Sequence, residues 1–350
     1  MQALIPIQNI YFLLCYAWDC LEEGDIVHVE QDECQTYADL FARVLVRGVS
    51  RLLKRGLDRG YLTEEEDTTS LRGKFDVSTT IKHNCLQHAR VHCLYDSLSY
   101  DVVHNRIVKT TLGTLARCEG LDGGLRDRLL SLYRRLHEVT AIDLLPGVFG
   151  KVVLHRNNAF YRFLVHVCHL VYDCLLPDKR TGRMRFADFM RDEKRMRELF
   201  ERFVFNFYRL EQDALEVKRE RIDWQCVDAT EGHRRFLPTM RTDVSLVSSN
   251  RHIVLDTKFT IRTLQWFHGR ETVKSNDLYQ MFAYLKNLQV LEACDCQVEG
   301  VLLYPTVATT LDLEYRIHGH RLRVATLDLN THWSQIAKRL LGLLKDGESE

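Results

Sequence analysis

FLPTMRTDVSLVSSNRHIVLDTKFTI, residues 236–261, decides the fold of the C-terminal half. Strand-forming residues flank Ser248-Ser249-Asn250-Arg251, a polar four that reads as a turn. The stretch is predicted to be a β-hairpin, with strands over about 239–247 and 252–260. With Ser249 and Asn250 as a two-residue loop, Asp243 falls directly opposite Asp256, and such partners share a face. Lys258, two residues further on, lies on that face as well. Ile253, Leu255, Thr257 and Phe259 point the other way, into a core. Two carboxylates and one ammonium therefore meet at a strand surface.

Carboxylates on adjacent strands suit Mg²⁺, a hard cation that takes oxygen ligands. The Thr257 carbonyl is a candidate third oxygen. Such a metal polarises a phosphodiester and lowers the pKa of a bound water. Lys258 would orient that water or stabilise the transition state as a fixed positive charge. The plain alternative is a charged edge hairpin with a salt bridge, since D-x-K occurs often by chance. Against it, the apolar run Ile253-Val254-Leu255 leads straight into the acids. Burying two like charges there is costly without a metal or a partner.

Working outward, residues 193–212 are predicted to be a helix that carries Glu201, either a contributor to the metal shell or a surface acid. Residues 275–288 form a second helix, with Gln280 and Tyr284 at i,i+4 on one face. Gln280 is a candidate contact to the scissile phosphate or its water, and Tyr284 either braces it or packs in the core. Strands are expected at 299–307 and 323–329, and a closing helix at 333–346.

The N-terminal half reads as helices at 9–22 (with Asn9 as N-cap), 36–56, 104–118, 125–139 and 158–176. Between them, 71–81 and 89–102 read as strands, with Gly73 a bulge or turn. Arg43, Arg47 and Arg51 line one face of the second helix, either as a solvated face or as a phosphate or partner contact. His166, Cys168, His169 and Cys174 do not have zinc-site spacing. Residues 177–188 hold Pro177, Gly182 and several charges, and mark a boundary between domains 1–176 and 177–350.

At 350 residues the chain suits two domains, and 45% hydrophobic residues give each a core. Lys+Arg and Asp+Glu are both 48, which excludes a polybasic protein but not a locally basic DNA contact. The eleven cysteines include no CxxC pair and read as reduced thiols of a cytoplasmic protein. No signal peptide, membrane span or P-loop is visible, so nucleotide hydrolysis is not expected of this chain alone.

The D…DxK hairpin followed by QxxxY resembles the PD-(D/E)xK nuclease superfamily, with Thr242 in the proline position and Asp256 in place of a glutamate. Over nearly the whole chain the sequence is similar to the McrC family, the endonuclease subunits of McrBC-type restriction systems. The resemblance rests on IPIQNIYFLLCYAWD (5–19), SLRGKFDVSTTI (70–81), YDSLSYDVVHNRIVKTTL (95–112), TDVSL with IVLDTKF, DLYQMFAYL (277–285) and GVLLYP (300–305). It implies a two-domain α/β (α+β) protein. An N-terminal mixed helix/strand domain would dock into a partner AAA+ GTPase ring (McrB-like hexamers) and stimulate it. A C-terminal nuclease domain would have a mixed central sheet flanked by helices. The implied activity is Mg²⁺-dependent cleavage of double-stranded DNA with modified cytosine. The site residues carried over are Asp243, Asp256 and Lys258, then Gln280 and Tyr284. Two other readings are a non-catalytic plug of an AAA+ ring and a free-standing repair nuclease. The intact Asp243, Asp256 and Lys258 argue against the first, and the long N-terminal half without a catalytic signature argues against the second.

Overall fold

The computed structural model describes residues 5–22, 34, 36–154, 158–177, 184–187, 190, 192–225, 231–260, 264–267, 270–291, 296–306 and 310–345. The chain divides into two units, Val27–Ala187 and a discontinuous unit of Met1–Ile26 with Asp188–Glu350. This differs from the single break expected between residues 176 and 177, because the first helix, α1 (Ile7–Ala17), packs into the C-terminal unit. Pro6 is its N-cap, not Asn9. Asn9 is buried within the helix, and its Nδ2 donates to the carbonyls of Leu329 and Thr331 at 2.8 and 2.7 Å. A buried amide needs such partners, and these tie the start of the chain to its last strand–helix connection.

In the N-terminal unit, α2 (Tyr37–Arg55) starts with a capping box in which Thr36 and Asp39 satisfy each other's backbone amides. Gly48, a weak point in the helical pattern, is where Leu164 of α6 (Ala159–Cys174) presses in, and a Cβ there would sit 2.5 Å from Leu164 Cδ2. Arg51, from the arginine face, lies 5.7 Å from the Phe160 ring centroid. Strands β1 (Gly60–Thr68), β2 (Lys74–Phe75) and β3 (Val91–Ser99) form an antiparallel sheet in the order β1-β3-β2. The strand expected over 71–81 is corrected: only Lys74–Phe75 is extended, and α3 (Val77–Lys82) follows. Asp76 caps α3 by accepting from the Thr79 amide, which outweighs the β-branched composition of the helix. Gly73 does sit in a turn, at φ +60. Helices α4 (Val103–Leu115) and α5 (Gly123–Arg135) lie close to their expected places. In α6, Cys168 is buried and His169 stacks on Phe149 with centroids 4.2 Å apart. The expected boundary loop is partly paired, as β4 (Leu175–Pro177) with β5 (Met184–Phe186), and residues 178–183 lie outside the described part.

The C-terminal unit is built on a six-stranded mixed sheet in the order β14-β15-β13-β10-β9-β6. Here α7 (Glu193–Glu211) precedes β6 (Glu216–Lys218), β7 (Arg221–Ile222), β8 (Met240–Arg241), β9 (Val244–Val247) and β10 (Arg251–Thr257). The ribbon β11 (Leu264–Phe267) and β12 (Arg270–Val273) leads to α8 (Ser275–Leu291), β13 (Gln297–Thr306), β14 (Asp312–Ile317), β15 (His320–Asp328) and α9 (Trp333–Gly342). β10, β13 and β15 run parallel at the centre, while β9, β6 and β14 are antiparallel to their neighbours. Both faces of β10 are buried, as its central place requires. Val254, Leu302 and Val324 meet Met281, Tyr284, Leu285 and Leu288 of α8 in one core. Ile253 and Leu255 alternate to the opposite face. An aromatic group of Tyr16, Phe203, Phe207 and Trp333 joins α1, α7 and α9.

Seven of the nine described cysteines are buried. Among the described residues, no helix is long and apolar enough to cross a membrane.

Candidate active site

The hairpin forms in the expected register. His252 pairs with Val247 and Leu255 with Val244, around the tight Ser248–Arg251 turn, where the Ser248 amide donates to the Arg251 carbonyl at 2.8 Å. The ladder ends there, and the direct opposition of Asp243 and Asp256 is not completed. Residues Thr242 and Asp243 bend the chain between β8, which pairs with β7, and β9, which pairs with β6 and β10. Thr242 fixes the bend: its amide donates to the Glu220 carbonyl, and its Oγ1 accepts from the Glu220 amide and from Ser245 Oγ. Asp243 then turns its carboxylate to the far end of β10. Its Oδ2 accepts from both the amide and the hydroxyl of Thr257, each at 2.8 Å.

Asp256 is 2% exposed at the end of a strand buried on both faces. Its Oδ2 lies 2.7 Å from Lys258 Nζ but accepts no well-aligned hydrogen bond. Burial, with the Asp243 charge added to it, pushes the Asp256 carboxyl up to about 7, against the pull of Lys258. Burial alone would lower the Lys258 ammonium, but Asp256, Asp277 and Asp243 together raise it, so it stays charged. A buried carboxylate raised beside a second carboxylate carries a repulsion that a bound cation would relieve. The oxygens of Asp243 and Asp256 are the donor set that a hard divalent ion takes.

Helix α8 supplies the other side. Gln280 Oε1 accepts from Lys258 Nζ at 2.7 Å, and Gln280 Nε2 donates to Tyr284 Oη at 2.6 Å. Tyr284 donates in turn to the Arg241 carbonyl at 3.0 Å. Asp256, Lys258, Gln280 and Tyr284 thus form one chain of contacts anchored on β8. Tyr284 is both a buried ring of the core and a brace. Phe259 packs edge-on against Phe200 of α7, on the other face as expected. Glu201 of α7 pairs with Arg219 at 3.0 Å, and its carboxyl is raised by burial and then by Asp243.

Asp277 and Tyr304 belong to this site and are absent from the sequence reading. Asp277 lies 3.9 Å from Lys258 Nζ and accepts from Tyr304 Oη at 2.7 Å. The signal was present, since Asp277 stands three residues before Gln280 and so on the same helix face.

Comparison with known proteins agrees with this architecture. The family described as "McrBC 5-methylcytosine restriction system component" matches residues 10–305. The chain is 31% identical, over 99% of its length and 99% of the relative's, to the type IV methyl-directed restriction enzyme EcoKMcrBC of Escherichia coli K12. Its fold is similar to a chain in the tetradecameric assembly of Thermococcus gammatolerans McrB AAA+ hexamers with bound McrC. The TM-score is 0.60 at 17% identity, covering 97% of this chain and 76% of that one.

Proposed function

This chain belongs to the McrBC 5-methylcytosine restriction system component family, and from that membership we propose that it is the DNA-cleaving subunit of a GTP-driven restriction complex. The observation that carries the proposal is the buried Asp256–Lys258 pair at the end of the central strand, with Asp243 beside it and Gln280 behind it. An ion pair this dry is a poor stabilising device by itself, and such pairs concentrate where chemistry is done. Asp243 and Asp256 would hold Mg²⁺, with the Thr257 carbonyl as a third oxygen. The metal would supply a Lewis acid for the phosphodiester and a more acidic attacking water.

The chain's own groups do the rest. Lys258 remains an ammonium because three carboxylates face it. Gln280 fixes its position, and Tyr284 fixes Gln280, so a positive charge is preorganised where charge develops on the phosphate. Thr257 orients the Asp243 carboxylate through two hydrogen bonds. Glu201, whose carboxyl is raised by burial and then by the Asp243 charge, would orient a ligand of the same site while paired with Arg219. The substrate is double-stranded DNA carrying modified cytosine. A solved assembly that contains a chain of similar fold is one of McrB AAA+ hexamers with bound McrC. By analogy, the Val27–Ala187 unit would dock on a ring of GTPase subunits that finds the modified base and is stimulated in return.

Plasmid cleavage with Mg²⁺ tests this, comparing wild type with Asp256→Ala on methylated and unmethylated DNA, with and without an McrB-like GTPase and GTP. Cleavage by the wild type alone, restricted to methylated DNA with partner and GTP, is expected. Equal cleavage by Asp256→Ala would show that the site is misassigned. If neither protein cuts while both raise the partner's GTP turnover, the chain regulates the ring and does not cleave.

A further inference from the structure

We propose that Asp67, His83 and Cys85 form a zinc site that holds together the small β-sheet of the N-terminal unit. It is separate from the carboxylate cluster of the C-terminal unit and does not depend on the cleavage activity. The three residues come from three separate elements. Asp67 is on β1, His83 caps the C-terminus of α3, and Cys85 opens a 3₁₀ turn, Cys85–His88. One ligand atom from each, a carboxylate oxygen, an imidazole nitrogen and the sulfur, lies within 4.8 Å of the other two. His83 Nδ1 is 3.9 Å from Asp67 Oδ2. Ligand atoms around a tetrahedral zinc are roughly 3–4 Å apart, given metal–ligand bonds of about 2.0–2.3 Å. Side-chain rotations of about an ångström or less would therefore close the set.

The fourth group is a support. Strand register places His92 of β3 directly opposite Asp67, and His92 Nδ1 lies 2.6 Å from Asp67 Oδ1. The other carboxylate oxygen, Oδ2, faces His83. A hydrogen-bonded partner behind a ligand is how metal sites fix ligand orientation. A thiol beside an imidazole and a carboxylate selects zinc over Mg²⁺ or Ca²⁺, which avoid sulfur.

Packing gives an independent reason. Between Gly60 and Tyr100 the only buried residues are Thr80, Cys85, His92 and Cys93. The apolar side chains of this stretch face outward: Tyr61, Leu71, Val77, Ile81 and Leu86 are all more than half exposed. The sheet buries little apolar surface of its own: Cys85 and His92 are among its few buried residues, and Asp67 and His83 lie half-exposed at their rim. Small modules of that kind need a staple, and metal is a common one. The turn that aims Cys85 inward is also bracketed by two non-glycine residues in the left-handed region, Asn84 (φ +52) and Ala89 (φ +54). Such residues persist where surrounding interactions over-determine them.

The test uses the full-length protein purified without chelator. Elemental analysis should find about one zinc per chain in wild type and in Asp256→Ala, and little in Cys85→Ser or His83→Ala. Cobalt exchanged into the site should show a thiolate charge-transfer band, retained in Cys168→Ala and lost in Cys85→Ser. His92→Gln, which removes only the support, should bind zinc about 10- to 100-fold more weakly. Circular dichroism of each variant separates metal loss from misfolding. Wild type without zinc and without a cobalt band, or a folded Cys85→Ser that keeps its zinc, would overturn the proposal.

Discussion

Glu220 shows how one side chain can tie the fold to pH. Its Oε2 lies 2.7 Å from His252 Nε2 on β10, and Lys218 is 3.1 Å away. Burial would raise this carboxyl, but the hydrogen bond from His252 and the nearby positive charge of Lys218 hold it down at about 2. A carboxylate whose folded pKa lies below its unfolded value stabilises the fold above the unfolded value. That contribution is lost as pH falls towards the folded one. Glu220 should thus contribute on the order of 3 kcal/mol at neutral pH, vanishing between about 4.5 and 2. Denaturant unfolding of Glu220→Gln should show that deficit at neutral pH and none at the acid end. A deficit independent of pH would mean that packing, not charge, is what Glu220 supplies. Tyr284 makes a second case. Tyr284→Phe keeps the ring in the core and removes only the bonds to Gln280 and Arg241. A stability loss of about 1 kcal/mol is expected. Cleavage should fall much further, by about tenfold or more, because Lys258 loses its positioning. If cleavage is unchanged, Gln280 is held by something other than Tyr284.

The hairpin was legible as an element because its turn chemistry and its acids all lay within one stretch of 26 residues, 236–261. What the sequence left hidden has a common cause: it depends on partners far along the chain. Nothing within 236–261 shows that β10 is buried on both faces, since its parallel neighbour β13 begins more than forty residues later. Strands of two or three residues such as β6, β7 and β8 carry no periodicity, and the bend they impose at Thr242 is what takes Asp243 out of the ladder. The misread stretch 71–81 was decided by a single cap, Asp76. The His83–Cys85 pair escaped notice because its companions sit on strands on either side of it, at Asp67 and His92. Gly300 is an element-scale device in the same sense. On β13 it meets α8 so closely that an added Cβ would lie 2.7 Å from Met281 Sδ and 2.9 Å from its Cγ. Gly300→Val must push away the helix that carries Gln280 and Tyr284. It should cost about 1–3 kcal/mol in denaturant unfolding, as overpacking does, and should abolish most cleavage. A variant that unfolds like wild type and cuts like wild type would show that α8 can shift without moving the site.

At the scale of the molecule, the chain's order along the sequence and its order in space disagree, and a boundary drawn from composition alone cannot show that. Proline, glycine and charge mark the neighbourhood of residue 177, and the break near Asp188 lies close to it. Nothing in the apolar run of α1 says which unit it will join. The contacts do: Ile10, Leu13 and Leu14 are almost fully buried, and Phe12 stacks on Trp333 with centroids 4.9 Å apart. Tyr16 Oη donates to Glu211 at 2.6 Å, and Asn206 Nδ2 donates to the Tyr16 carbonyl at 2.8 Å. The C-terminal unit is therefore incomplete as a contiguous piece. Each of the three buried aliphatic side chains is worth about 1.5–3 kcal/mol on burial, and a domain's total stability is only about 5–15 kcal/mol. A fragment of residues 188–350 alone should thus be aggregated or at best loosely folded, with the apolar faces of α7 and α9 exposed. Joining residues 1–26 to it through a flexible linker should restore a cooperative thermal transition. Asn9→Ala in that fusion should lower the transition again, because the Leu329 and Thr331 carbonyls lose their donor. A fragment of 188–350 that is monomeric and melts like the fusion would show that α1 is an ornament of the unit and not part of its core.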